Sequence, residues 1–295
     1  MPAALFALAF LAASVLTAQV TRVPPSYSAA TIVNAASGDP NTLAPYTVIT
    51  INGANLAWSS YAMQPSDVRN STVPIALPNA GVHVYIRNEA AGILRVSPTS
   101  ITVLVPGDLL PGSAIVQTVL DALAGPQVLV NLQPFGPGLF VQNDGTIAVS
   151  TQAGVPVTPA APLLPGETMV VNAVGLGNAF PPLWSLEIAT AANRLDPKTQ
   201  VLVYLDDVPI DPGYVTGIAF VPNQPGIYQL TVQLPPNTPT DPELRISANG
   251  IMSPAGFTIP VQGTLEQPSR VKRPVREPAR RILNIGPKPL KPASQ

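Results

Sequence analysis

Four aspartates carry the clearest chemical potential in this sequence. Asp196, Asp206, Asp207 and Asp211 crowd one short stretch, and several carboxylate oxygens in one place are what a calcium ion takes as ligands. Paired carboxylates are also the machinery of glycoside hydrolysis. No Asp-x-Asp-x-Asp loop accompanies them, and Pro212-Gly213 follows directly. A solvated turn at a strand end accounts for the same residues, so calcium is only a weak candidate. The single histidine, His83, lies between Val82 and Val84, which makes it a strand residue before it is a catalytic base. Gly175-Leu176-Gly177 has the start of a dinucleotide loop but lacks the third glycine and a following helix. It reads as a turn. No Gly-x-Ser-x-Gly elbow, phosphate-binding Gly-x-x-x-x-Gly-Lys loop or His-Glu-x-x-His helix is present. With no cysteine, thiol nucleophiles, zinc–thiolate centres and disulfides are excluded. No cofactor and no catalysis are expected; a secreted hydrolase with a carboxylate site is the remaining enzymatic alternative.

Recognition chemistry has more to work with. Trp58 and Tyr61 fall in the stretch Trp58 to Asn70, and Tyr214 and Phe220 in Asp206 to Phe220. Both stretches read as loops at strand ends, where binding residues concentrate. Each aromatic could supply contact there or pack beneath its loop. Clustered exposed aromatics would favour binding, and their absence a spacer. Asn70-Ser71-Thr72 forms a glycosylation sequon that reads as an ordinary polar loop. A second set is cationic: Arg270, Lys272, Arg273, Arg276, Arg280, Arg281, Lys288 and Lys291 are eight of the fifteen basic residues. They alternate with prolines after Gly263, so the segment is predicted to be a disordered basic tail. Its charge suits anionic envelope polymers or lipid headgroups. Nucleic acid is not expected beside an otherwise acidic chain that reads as exported.

The elements that must position these residues are strands. Hydrophobic residues make up 46% of the 295 and charged residues 11%, well under the roughly 25% of an average soluble protein. The 37 prolines exclude long helices, because each removes a donor and clashes with the preceding turn. Short Val-, Ile- and Thr-rich segments between Pro, Gly and Asn read as strands and turns. The strands repeat. Pro45 to Ala57 aligns with Pro165 to Gly177, Val82 to Ile86 with Val201 to Leu205, and Ile101 to Pro106 with Leu230 to Pro235, in the same order. Two domains of about a hundred residues, each with six or seven short strands, suit the immunoglobulin-type sandwich.

The predicted organisation follows. Ala3 to Ala18 is an apolar run short of the roughly 20 residues that span a bilayer, and it reads as a signal peptide, 1–18, cleaved after Ala18. A linker, 19–30, leads to sandwich one, 31–138, and sandwich two, 139–262, with the tail at 263–295.

A family likeness is carried by Ile32-Val33-Asn34-Ala35-Ala36-Ser37-Gly38, Asn52-Gly53-Ala54-Asn55-Leu56-Ala57, Val96-Ser97-Pro98-Thr99-Ser100-Ile101, Pro137-Gly138-Leu139-Phe140 and Gly175-Leu176-Gly177-Asn178. In this order they resemble the Solibacter-type uncharacterised C-terminal domain of secreted acidobacterial proteins. The segment ending Gly53-Ala54-Asn55-Leu56 is similar to IPT/TIG immunoglobulin-like domains. The resemblance covers about Thr31 to Val261 and implies a secreted β-sandwich module; it brings no catalytic residues. The expected function is therefore a non-catalytic secreted or envelope-associated binding module, without a transmembrane segment in its mature form. Its sandwich-end loops are expected to meet protein or glycan. A structural spacer is the alternative.

Overall fold

The computed structural model describes residues 22–263. The expected signal peptide and the eight tail cations lie outside the described residues. No α-helix occurs among those described. Strands and three single 3-10 turns make up the regular structure, as the proline density requires.

The first half comprises β1 (Ile32–Asn34), β2 (Val48–Asn52), β3 (Tyr61–Ala62), β4 (Val82–Ile86), β5 (Glu89–Ala90), β6 (Gly92–Val96), β7 (Ser100–Leu104), β8 (Gly112–Leu120), β9 (Leu123–Ala124) and β10 (Val128–Leu132). They form two antiparallel sheets, β1-β2-β7-β6-β3 and β10-β8-β4-β5. The second half comprises β11 (Gly138–Leu139), β12 (Val149–Thr151), β13 (Thr168–Val174), β14 (Ala179–Phe180), β15 (Arg194–Leu195), β16 (Val201–Leu205), β17 (Val208–Pro209), β18 (Val215–Phe220), β19 (Ile227–Gln233), β20 (Leu244–Ala248) and β21 (Ile251–Met252). Its sheets are β11-β13-β19-β18-β15-β14 and β17-β16-β20-β21. The molecule is two immunoglobulin-like sandwiches in tandem.

Side-chain alternation explains the layering. In β4 the residues Val82, Val84 and Ile86 are buried while His83 and Tyr85 face outward, as the period of two demands. Ile49, Ile51, Ile101 and Val103 meet Val82, Val84 and Val116 in the first core. Met169, Val171, Leu230 and Val232 meet Val203, Leu205 and Ile246 in the second. Ile49 pairs with Val103 and Ile51 with Ile101. Their aligned counterparts pair in the same register, Met169 with Val232 and Val171 with Leu230.

The second core crosses the junction. It takes in Tyr46, Val48, Val73 and Leu104 from the first sandwich. Backbone bonds cross as well: the Val73 N–H donates to the Leu186 carbonyl, Ile188 N–H to Ser71, and Gly107 N–H to Ser185. The segment Ser185 to Ile188 is thereby laid along the first sandwich although it belongs to the second.

Candidate binding site

The structure spreads the aspartates instead of gathering them. Asp206 and Asp207 take φ of 50° and 61° as the two-residue hairpin between β16 and β17, where paired positive φ values match strand twist. Arg87 and Asn88 do the same between β4 and β5, at 50° and 65°. The Asp206 Oδ1 accepts from the Glu243 N–H at 2.9 Å, and Asp207 pairs with Arg245 at 2.8 Å. Asp196 accepts from Lys198 N–H at 2.9 Å, and Asp211 from Gly213 N–H at 2.7 Å. Among the described residues no group of three His, Cys, Asp or Glu side chains could hold a metal ion. Local turns use these carboxylates one at a time. His83 stacks on Tyr85, with ring centroids 6.4 Å apart, on the outer face of its strand.

The four aromatics of the expected loops meet different fates. Phe220 is 1% exposed and ends β18. It lies 4.3 Å from the Tyr228 ring and 5.7 Å from the Tyr46 ring, centroid to centroid. It is a core residue and not a contact residue, because the expected loop from Val215 onward is a strand whose last side chain points inward. Trp58 is 46% exposed but engaged: its Nε1 donates to Asp121 at 2.8 Å, and the Arg22 guanidinium sits 5.5 Å from its ring centroid. Half-buried Tyr61 donates to Asp67 at 3.1 Å. Tyr214, also half-buried, lines a surface cavity of about 410 Å³ with Asp206 and Asp211.

The most prominent aromatic surface lies in a segment that loop reasoning missed, Gly177 to Glu187. Trp184 is 83% exposed and Phe180 62%. Both stand on a segment that hydrogen bonds hold in place. Asn178 is its first clamp. Its Oδ1 accepts from Ala179 N–H at 2.7 Å and from Leu183 N–H at 3.0 Å, while its Nδ2 donates to the Leu183 carbonyl at 3.0 Å. Glu187 is the second, its carboxylate accepting from the Trp184 N–H at 2.9 Å. Two tyrosines fix the ends: Tyr228 donates its hydroxyl to the Gly177 carbonyl, and Tyr46, from the other sandwich, to the Glu187 carbonyl. Burial raises both phenols far above their ordinary value, so both stay protonated and donating.

Polar groups flank Trp184. The neighbouring Ser185 hydroxyl donates to Asp108 across the junction. Partial desolvation and then the Asp108 carboxylate push the Glu89 pKa up, and Arg87 opposes them. Arg87 donates to the Leu110 carbonyl at 3.0 Å and to that of Ser113 at 2.7 Å, leaving other guanidinium N–H groups for further partners. Ser185, beside Trp184, is thus tied to Asp108, while Arg87 binds the carbonyl of Leu110, two residues beyond Asp108, and Glu89 opens the strand that pairs back on β4 at the same hairpin. Pro181-Pro182 was the available signal, since two prolines end a strand and so place the following Trp184 in a loop.

No family model matches the chain, and no curated protein does. Among solved structures, a surface glycan-binding protein from Prevotella bryantii is 10% identical over 74% of this chain and 38% of its own, with a TM-score of 0.25. SGBP-B from a complex xyloglucan utilization locus in Bacteroides uniformis is 14% identical over 80% and 48%, with a TM-score of 0.22. The plexin A4 extracellular region is 10% identical over 83% and 16%, with a TM-score of 0.27. The chain spans less than half the length of each of these proteins. Among the described residues no helix is long and apolar enough to cross a membrane.

Proposed function

We propose that this chain is a non-catalytic binding module of the cell exterior that presents the segment Gly177 to Glu187 for protein or glycan contact. The observation that carries this reading is Trp184, 83% exposed on a backbone clamped by Asn178, Glu187, Tyr46 and Tyr228. An exposed indole gains from burial, and a clamped loop loses little entropy when it is buried. The resemblance to the Solibacter-type secreted module, export after Ala18 and an origin of the two halves by duplication belong to the same proposal. A spacer role is the second reading, favoured by the core that runs on across the junction.

Binding of purified, fluorescently tagged protein to envelope fractions of its own source tests the reading. The unaltered chain should sediment with the envelope, and Trp184→Ala should lose about tenfold or more in affinity, the size of a hot-spot truncation. Sedimentation that is absent, or equal for both proteins, would leave the spacer reading in its place.

A further inference from the structure

We infer that the ligand of this loop is a neutral glycan, a pyranose ring lying on Trp184 while Asp108, Glu89 and Arg87 meet its hydroxyls; the inference rests on the binding reading above. Three observations lead to a sugar. The first is the mixture of groups. Sugar rings have an apolar C–H face and an equatorial belt of hydroxyls, so they need a flat aromatic surface beside planar donors and acceptors. The exposed Trp184 indole supplies the first. Asp108 accepts from Ser185 next to that indole, and Arg87 and Glu89 flank the β4–β5 hairpin whose Arg87 reaches the Leu110 carbonyl; these two carboxylates and one guanidinium supply acceptors and donors for adjacent hydroxyls.

The second observation is scale. A stable protein interface covers about 800 Å² on each partner around an apolar, desolvated centre. Leu110 and Ile115 are the exposed aliphatic side chains next to Arg87, whereas others such as Leu129, Val155 and Val208 lie elsewhere in the fold. One or two aromatics among charged groups fit a narrow ligand better than a protein face. The third is charge. The flank has two carboxylates against one guanidinium, a net negative surface that would repel uronate or sulfate groups. A neutral polymer suits it.

Rigidity strengthens the case. Asn178 and Glu187 set the loop from within, and Tyr46 and Tyr228 fix its ends. The backbone that carries the indole is therefore pre-organised, which lowers the entropy lost when a ligand settles on it.

The sequence has two tryptophans, Trp58 and Trp184, and Trp58 is already engaged with Asp121 and Arg22. A Trp58→Phe chain accordingly reports on Trp184 alone. Its fluorescence would be titrated with mixed-linkage β-glucan, galactomannan, arabinoxylan and dextran at about 0.5 M salt, where screening suppresses attraction through the basic tail. At least one polymer should shift the emission to the blue and shield the indole from acrylamide. That polymer should also retard the unaltered chain in an affinity gel, and Trp184→Ala should weaken the retardation about tenfold or more. Envelope sedimentation, run in parallel, separates the two readings. If no neutral polymer acts but Trp184→Ala still abolishes envelope binding, the glycan is overturned and the binding module stands. If Trp184→Ala changes neither measurement, both readings fall.

Discussion

Asn34 shows how much one side chain does at the residue scale. It is fully buried, and its Nδ2 donates to the carbonyls of Thr42 and Gly136 at 3.0 and 2.9 Å. Its Oδ1 accepts from the Ala36 and Ser37 N–H groups at 3.0 and 3.3 Å. Gly138 must be glycine because an added Cβ would overlap that amide. Asn34→Ala would leave buried groups unpaired, and urea unfolding should record a loss of about 2–3 kcal/mol. Glu89 gives the opposite sign. Its pKa is raised in the folded chain, by desolvation first and by Asp108 next, so folding favours its protonated form. That contribution is fully present below the ordinary carboxylate value and is lost as pH rises through the raised one. Glu89→Gln should remove this slope from a stability–pH profile just above the ordinary carboxylate range, leaving the protein no less stable at pH 7. The change should be small because solvent reaches the group. A Glu89→Gln chain that is clearly less stable at neutral pH would contradict the assignment.

At the scale of elements, the end of β13 decides where the binding loop begins. Gly175 has φ of +74°, and an added Cβ would overlap the Gly136 carbonyl at the point where the connection between sandwiches passes. The Gly136 N–H also donates to the Gly175 carbonyl at 2.9 Å. Gly154 has a similar φ of +80°, with nothing within 4 Å of an added Cβ. The two alanine variants therefore separate backbone strain from crowding. Gly154→Ala should cost only about 1–2 kcal/mol, the left-handed penalty. Gly175→Ala should cost well above that, about 3 kcal/mol or more, and should displace the loop. Equal melting temperatures for the two variants would show that the crossing point yields easily.

Across the whole molecule, the shared core sets what each half can do alone. Removing residues before 139 strips Tyr46, Val48, Val73 and Leu104 from the second core and the Tyr46 hydroxyl from Glu187. Fragments 31–138 and 139–262 should each unfold cooperatively with a β-type circular dichroism spectrum. The second should melt clearly below the intact chain, because buried apolar side chains are worth about 1.5–3 kcal/mol each. Calorimetry of both fragments beside the whole protein checks this. An isolated second half as stable as the intact chain would mean that the junction contributes nothing.

The residues fixed the fold class through short-range physics. Proline density forbade helices, alternation such as Val82 to Ile86 assigned one face of each strand to a core, and matched segments anticipated equal strand order in both halves. The same local reasoning read Asp206, Asp207 and Asp211 as turn residues, and the structure has Asp206 and Asp207 in a two-residue hairpin with Asp211 capping the next turn. Such reasoning could not place Phe220 or Trp184, because exposure is decided by what packs from elsewhere in the chain. Phe220 meets Tyr46, distant in sequence, and is sealed. Trp184 follows two prolines on a segment gripped from both sandwiches, by Tyr228 at one end and Tyr46 at the other, and among the described residues its ring stays 83% exposed. Neither partner is visible at the range of a strand or a turn, so only the tertiary structure could distinguish the core aromatic from the exposed one.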